Sequence, residues 1–404
     1  MKASTTWAVV ALGAFFTLVY AITSSPNLPA SIDTQTNALS AHALAKTGSP
    51  LIPEYESIVA VPETAGHATW VVDSPQGPVA QYPPGAAIVA APFYLLADDE
   101  LHIVRALSPP YPVGTGPLLL PDMWPGAVTA VVVSVSAMVL LGLTLSEIGL
   151  DRRTVTGTMI AVGLGTAVWS VAADSLWQHG PSILCIGLAA WSFAQPGRLK
   201  WLFIASILLP LVRPPVIAIP VLGSLGASLG QRDWRPATAS IGGSALGLTA
   251  LGLYNRYVFG QFSITGGYRS GITESVASPD LGFLFRNLWS AGFASDRGVF
   301  VWSPFLLIIA LSLPFVFRAT PLWVRGMAIG SVVYALFQYL ANRYGGGFDF
   351  AFYRYPIEPI FGLAPLGATG ARYLLERDSR LLDLALRLTI GLSMLAHAVA
   401  AWRF

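Results

Sequence analysis

Apolar residues run in long stretches through most of the chain, and polar residues gather between them. About 20 apolar residues are enough for a helix to cross a bilayer, and shorter stretches need thinner lipid or tolerant neighbours. The pattern predicts that the following stretches cross: Trp7–Thr23, Pro125–Ile148, Val155–Ala172, Pro181–Ala194, Leu199–Val212, Pro215–Gly230, Ala237–Phe259, Val299–Phe317, Gly326–Ala341, Ile357–Leu374 and Leu384–Trp402.

One further apolar run, Pro78–Ala97, is ambiguous because it contains several prolines and precedes three acidic residues. Each added crossing moves all later loops to the other side, so the basic residues test whether this run crosses. If it does not cross and the N-terminus is cytoplasmic, the short basic loops at 151–153, 196–200, 231–235, 318–325 and 372–387 lie inside. The positive-inside rule therefore predicts that Pro78–Ala97 lies on the outer surface as an amphipathic or re-entrant element.

The expected fold is all-α and integral to the membrane, with about eleven transmembrane helices in a single polytopic domain, 1–404. A large first extracytoplasmic loop, 24–124, carries juxtamembrane helices, and a second large loop spans 260–298. Arg213-Pro214-Pro215 is interpreted as a tight outer hairpin, because one long helix over 199–230 would reverse the later loops. The first apolar run is alternatively a cleavable signal peptide, which leaves the later topology unchanged.

Composition agrees with a polytopic membrane protein, since 54% of the 404 residues are hydrophobic and only 11% are charged. The net charge of +2, without a basic run, argues against a nucleic-acid partner. The single cysteine, Cys185, excludes a disulfide framework within the chain and a thiolate metal site.

Asp33 follows the first predicted span and has two interpretations. It can cap a surface helix over Thr36–Lys46 by accepting from backbone N–H groups, with Gly48 ending that helix. It can also act as a general base for an acceptor hydroxyl at the lipid–water interface. The two roles are compatible, because a cap position holds a carboxylate rigidly.

Asp174 and His179 flank Trp177 at the outer end of a predicted span. They are either polar neighbours of an interfacial tryptophan or a second carboxylate and a histidine that face Asp33 across a cleft. Two acidic residues and a histidine can hold a divalent ion, although the spacing of known metal-ligand motifs is absent.

Arginines also collect on the predicted outer face, against the positive-inside tendency. They are either solvated or paired with Asp296, Asp349 and Glu358; as a set they suggest contact with a phosphate or pyrophosphate, whose oxygens match guanidinium groups. These candidate phosphate-binding residues are Arg213, Arg269, Arg297, Arg343 and Arg354. The Gly345-Gly346-Gly347 run would let the backbone approach a ligand closely.

Four segments, in order, resemble the GT-C superfamily of membrane glycosyltransferases, including its mannosyl- and arabinosyltransferase-like and protein mannosyltransferase-like bacterial members. The first is Asp33 before a helix ending in Lys-Thr-Gly, and the second is the tyrosine/proline segment Gln81–Ala86. The third, 296–304, resembles an RG-hydrophobic-SP stretch. The fourth, 344–359, resembles a glycine-rich segment followed by Arg-Tyr and proline.

The resemblance implies sugar transfer from a polyprenyl-phosphate donor to a glycan, lipid or protein hydroxyl on the outer face of a bacterial cytoplasmic membrane. It implies Asp33 as the base, Asp174 as a second acidic residue, and the outer arginines as ligands of the lipid phosphate, with Tyr82 and His179 as further substrate contacts. Many members have paired acidic residues after the first span, whereas Thr34 follows Asp33 here. This difference argues against a metal-dependent member; no cofactor is assigned, and a divalent cation remains an option.

A transporter or flippase for a lipid-linked sugar is the main alternative, followed by a membrane scaffold and an O-antigen ligase-like transferase. Transporters usually place ionisable residues near the bilayer midplane. The ionisable residues of this chain lie almost entirely at span ends, which favours chemistry at the surface.

Overall fold

The protein is mostly helical in the computed structural model, which describes residues 3–25, 31–56, 70–104, 118–267, 278–346, 351–377 and 379–403. The described α-helices are α1 (Ala3–Thr23), α2 (Ile32–Thr47), α3 (Gly85–Tyr94), α4 (Trp124–Glu147), α5 (Arg152–Leu164), α6 (His179–Ala194), α7 (Leu199–Val212), α8 (Ala218–Gln231), α9 (Arg235–Phe259), α10 (Leu281–Phe293), α11 (Val299–Trp302), α12 (Phe305–Val316), α13 (Leu322–Ala341), α14 (Ile357–Leu375) and α15 (Arg380–Arg403).

Short elements complete the described chain. Two antiparallel strand pairs lie between α2 and α4, with Val71 of β1 opposite Ala80 of β2 and His102 of β3 opposite Leu120 of β4. The strands are β1 (Val71–Val72), β2 (Val79–Ala80), β3 (His102–Val104) and β4 (Leu118–Leu120), and the short helices are Pro53–Tyr55, Val168–Ala172, Pro214–Ile217 and Phe317–Ala319.

Every predicted span overlaps a helix, although not every helix is long enough to cross a bilayer by itself. Four described helices are long and apolar enough by length and composition: Ser4–Thr23, Trp124–Glu147, Leu322–Ala341 and Arg380–Trp402. Shorter apolar helices include α6 and α7. The structure therefore agrees with an all-α membrane protein.

A small surface layer of α2, α3 and the strand pairs packs over one end of the bundle. Small residues of α2 (Ala38 and Ala41) pack against Ala87 and Ala90 of α3, with Tyr94 completing this apolar contact. Helix α3 has only ten residues, about half of what a crossing needs, and it is the only helix described within Pro78–Ala97.

The start of α2 corrects one expectation. The helix begins at Ile32 rather than Thr36, and its N-cap is Ser31, not Asp33. The Ser31 hydroxyl accepts from the Asp33 N–H, and the Thr34 hydroxyl accepts from the Ser31 N–H, which closes a capping box. Asp33 therefore lies in the first turn with its carboxylate available for tertiary contacts. Gly48, in the left-handed conformation at φ 68°, ends the helix as expected.

Helices α8 and α13 pack backbone against backbone. A Cβ added to Gly326 would lie 2.1 Å from the Leu222 carbonyl oxygen, and one added to Gly330 would lie 2.4 Å from that of Ala218. Gly226 faces Leu322 in the same way, at 2.2 Å. The Gly326-x-x-x-Gly330 spacing thus provides the close approach that small residues give membrane helices.

Polar residues concentrate at the two opposite ends of the bundle. At one end Arg198 donates to both oxygens of Glu147, at 2.7 and 2.8 Å, and Arg153 lies 3.4 Å from Asp383. At the other end Glu358 lies in the first turn of α14, whose last turn contains Arg372. Fourteen residues at 1.5 Å each separate these ends by about 20 Å.

An apolar cavity of about 390 Å³ runs between α5, α12, α14 and α15. Its lining extends from Val299 and Pro356 at the Glu358 end to Arg153, Asp383 and Arg387 at the opposite end.

Candidate functional site

Asp33 and Arg354, which lie 321 residues apart in sequence, form an ion pair at one end of the bundle. Arg354 Nη1 donates to Asp33 Oδ2, and the Tyr82 hydroxyl donates to Asp33 Oδ1 at 2.5 Å. The side chains of Asp33 and Arg354 are 18% and 13% exposed, so water still reaches the pair. Three residues predicted from sequence as site candidates are therefore in direct contact.

Neighbouring elements hold these three side chains in place. The Asn37 amide of α2 donates to the Leu176 carbonyl at 2.9 Å, which fixes the Asp33 helix to the bundle. Tyr82 follows β2, and Arg354 lies in the loop before α14. Next to Arg354, the Tyr353 hydroxyl contacts the Ser303 hydroxyl at 2.6 Å inside the bundle.

Aromatic rings line the arginine side of the site. The Arg354 guanidinium lies 5.0 Å from the centre of the Trp177 ring and 5.1 Å from that of Tyr355. The Arg213 guanidinium lies 5.5 Å from the same Tyr355 ring. Two cations thus share one aromatic neighbour, whose ring attracts each of them.

A second charged cluster lies deeper and joins Arg213, His179 and Glu358. His179 Nδ1 lies 2.8 Å from Glu358 Oε1, and Arg213 Nη1 lies 3.4 Å from the same oxygen. Arg213 Nη2 also donates to Gln338 Oε1 at 3.1 Å. His179 and Glu358 are 1% and 0% exposed, and Glu358 Oε2 has no hydrogen-bond partner in the described part of the chain.

Glu358 is the site residue that sequence reasoning treated only as a partner for arginines. Its signal was available: it is an acidic residue at the start of a long apolar stretch, where a charge is costly and marks a functional position by default. The structure places this carboxylate between His179 and Arg213.

Electrostatics favour the charged forms of Asp33 and Arg354. Burial by itself would raise the pKa of Asp33, but the Arg354 charge and the hydrogen bonds from Tyr82 and Arg354 outweigh it, so the pKa lies below its ordinary value. Burial would lower the pKa of Arg354, but the charge of Asp33 raises it overall. Asp33 is therefore an ionised carboxylate at neutral pH.

The remaining arginine candidates take different positions. Arg297 donates to the Gly345 carbonyl oxygen, and its pKa is lowered by burial and by the neighbouring charge of Arg354. The Arg343 side chain is exposed, with no ion pair among the residues that the structure describes. Arg269 lies outside the described residues.

Asp174 is buried, with 4% of its surface exposed, but its contact is with serine rather than arginine. The Ser25 hydroxyl donates to Asp174 Oδ1 at 3.3 Å. Burial raises its pKa to about 7, and the serine hydrogen bonds offset only part of that effect. His179 contacts Glu358 and Arg213, so the described contacts of His179 and Asp174 are with different residues.

One group of described residues has the arrangement of potential metal ligands, namely Asp98, His102 and Asp122, whose ligand atoms lie within 4.8 Å of one another. This group is at the surface and includes neither Asp33 nor Asp174. Exposed acidic groups of this kind are common without an ion, so the group is not specific evidence for a metal.

The site thus brings together a carboxylate, two arginines that share an aromatic ring, and a buried carboxylate–histidine pair. This set can accept a proton and hold an anion side by side. Comparison of the chain with protein-family models, with curated proteins and with solved structures finds no match.

Proposed function

We propose that the protein is an inverting glycosyltransferase of the GT-C type, which moves a sugar from a polyprenyl-phosphate donor to an acceptor hydroxyl of a glycan, lipid or protein. The observation that supports this proposal most directly is the contact of Asp33 with Arg354. The sequence predicts Asp33 as the base and Arg354 as a phosphate ligand, and the two side chains meet within one site.

In the proposed reaction, Asp33 takes the proton of the acceptor hydroxyl while the oxygen attacks the anomeric carbon of the donor sugar. The bond from that carbon to the phosphate oxygen breaks, and the configuration at the carbon inverts. Arg354 and Arg213 stabilise the negative charge that develops on the departing polyprenyl phosphate, which is the largest contribution such a site can make.

The proposal includes the placement of the chain in a bacterial cytoplasmic membrane, with about eleven crossings and the Asp33 site outside. The cavity between α5, α12, α14 and α15 supports it, because its lining begins at Val299 and Pro356, each two residues from a site arginine. An apolar prenyl chain held there would have its phosphate near Arg354. Arg198 and Arg153 would then lie on the cytoplasmic side, as the positive-inside rule requires.

The direct test is sugar release from polyprenyl-phosphate-linked sugars by the purified protein in lipid nanodiscs, with membrane extracts as the acceptor source. Asp33→Asn should lower turnover by about 10²- to 10⁴-fold, the usual contribution of a general base. The control is Glu54→Gln, which neutralises an exposed carboxylate of the same loop. Turnover retained by Asp33→Asn would exclude the base role.

The buried His179–Glu358 pair gives the transporter alternative a specific observation in its favour, since intramembrane ionisable groups often serve ion or substrate pathways. The two proposals differ in chemistry: a flippase moves an intact donor across nanodisc or vesicle membranes, whereas a transferase releases polyprenyl phosphate. Translocation of intact donor without its cleavage would favour the transporter.

A further inference from the structure

The two functions proposed for Asp33 and Arg354 compete, because the two side chains are paired with each other. A base needs an oxygen that faces the acceptor, but Asp33 Oδ1 accepts from Tyr82 and Oδ2 accepts from Arg354. A phosphate ligand needs N–H groups directed at the phosphate, but Arg354 Nη1 is directed at Asp33. The contact between Asp33 and Arg354 therefore engages both the carboxylate that would act as the base and the guanidinium that would bind the phosphate.

We propose that a lipid phosphate monoester and Asp33 compete for Arg354, so that binding of the phosphate releases the Asp33 carboxylate for its reaction. The inference rests on the proposed function and adds an order to it, because the base becomes available only after the donor has bound.

The burial of the two carboxylates decides which of them gives way. Glu358 is fully buried and also contacts His179, so its release from Arg213 would leave a buried, poorly paired charge, which is strongly unfavourable. Asp33 lies in the first turn of α2 with 18% of its side chain exposed, so water can solvate it when Arg354 leaves. The Asp33 ion pair is therefore the one that opens at lower cost.

Phosphate has an advantage over Asp33 in this competition. Its oxygens can accept in parallel from the guanidinium fork of Arg354, and bidentate contacts of this kind are the strong ones. Arg213 lies near the same Tyr355 ring, 5.5 Å from its centre against 5.1 Å for Arg354, so a second cation borders the position proposed for the phosphate. By comparison, the ion pair of the Asp33 carboxylate with Arg354 joins Oδ2 to Nη1.

The exchange also changes the chemistry of Asp33. The charge of Arg354 lowers the pKa of Asp33 while the two side chains are paired. When that charge is engaged by phosphate, the pKa of Asp33 rises, and the carboxylate becomes a better proton acceptor. Acceptor activation without a bound donor is thereby suppressed.

The experiment measures binding of polyprenyl phosphate to the full chain in lipid nanodiscs, with the uncharged polyprenol as the reference ligand. Asp33→Asn should bind polyprenyl phosphate about tenfold more tightly than the wild type, within the range of typical coupling between sites. Arg354→Gln should bind it at least about tenfold more weakly. The double variant should match Arg354→Gln, because Asp33 acts through Arg354.

The matched control, Glu54→Gln, removes the same charge from an exposed carboxylate of the same loop and should leave the affinity unchanged. Polyprenol affinity should be the same for all variants. If Asp33→Asn does not purify in folded form, Asp33→Ser replaces it, since this substitution also removes the negative charge.

Equal or weaker phosphate binding by the Asp33 variant would overturn the competition, and so would unchanged binding by Arg354→Gln. A gain of similar size in Glu54→Gln would reduce the effect to the general charge of the outer face and would also overturn it. Failure of the proposed transferase function has a different signature, namely absence of sugar release while the binding pattern of the variants holds.

Discussion

The Asp33–Arg354 pair and the Glu358–Arg213 pair are built from the same two residue types but in different surroundings. The arginines are almost equally exposed, at 13% and 12%, and the difference lies in the carboxylates, at 18% for Asp33 and 0% for Glu358. Asp33 comes from the first turn of α2 and has the Tyr82 phenol as its second partner. Glu358 comes from the bundle and has a buried histidine.

Under the proposed exchange, burial of the anion, rather than the type of ion pair, separates a fixed contact from an exchangeable one. A buried pair is costly to break because the remaining charge cannot be solvated. A pair that water reaches loses less when it opens. We therefore interpret Glu358 as a positioning residue for Arg213 and Asp33 as the reacting group.

The largest expected effect on stability comes from Glu358→Ala. It leaves His179 and Arg213 without their anion inside the bundle and should lower the free energy of unfolding by about 3–5 kcal/mol. Asp33→Ala should cost only about 1–2 kcal/mol, since water reaches Arg354 and Tyr82. Thermal unfolding of both variants in the same detergent measures the difference, and equal losses would contradict the comparison.

Asp174 is a third carboxylate; it is buried, and its described contacts are with serines. Its pKa of about 7 in the folded chain exceeds the ordinary value, so the folded state holds a proton that the unfolded state releases. Stability should therefore fall as pH rises from about 4 to 7, by a few kcal/mol at most. Asp174→Asn should flatten this part of the stability profile, measured by melting temperature; a slope like that of the wild type would contradict the assignment.

Tyr82→Phe should have a smaller effect, concentrated on Asp33. Loss of the phenol hydrogen bond removes one of the contributions that lower the pKa of Asp33, so that pKa rises. The acid limb of the pH–rate profile for sugar transfer should then shift to higher pH, while the neutral-pH rate changes by roughly tenfold or less. An unshifted limb would mean that Asp33 does not set it.

Arg343→Gln is expected to have the smallest effect. The side chain is exposed, with no ion pair among the described residues, and surface substitutions of this kind usually change stability by less than about 0.5 kcal/mol. Affinity for polyprenyl phosphate should stay within about twofold of the wild type. A loss comparable to that of Arg354→Gln would extend the anion site to this arginine.

Helices were predictable from sequence because apolar stretches of 14 or more residues leave few alternatives in a membrane protein. Helix ends were less so: Pro215–Gly230 begins with the 3₁₀-helix Pro214–Ile217, and the Asp33 helix starts four residues earlier than expected because Ser31 and Thr34 cap it together. Capping boxes usually carry Glu or Gln at the last position, so Thr34 gave a weak signal.

The contact partners within the site were predictable only in part: Glu358 was expected as a partner for an arginine and contacts Arg213, but the pairing of Asp33 with Arg354 was not expected. Loop order placed Asp33, Asp174 and the arginines on one face, but the pairing depends on the packing of α2 against the loop at Leu176. That packing brings Asp33 to Arg354 and leaves Asp174 beside Ser25. Glu358 needed the bundle geometry as well, because Arg213 and His179 come from other helices.

The glycine contact between α8 and α13 restricts the motion of these two helices relative to each other. Gln338 of α13 accepts from Arg213, so this arginine is attached to two helices whose backbones touch and which cannot slide without a collision. We expect slow amide hydrogen exchange along this pair and faster exchange in the first turn of α2. The side of the site that contains Arg213 and Glu358 would then stay fixed, while the side that contains Asp33 samples open states.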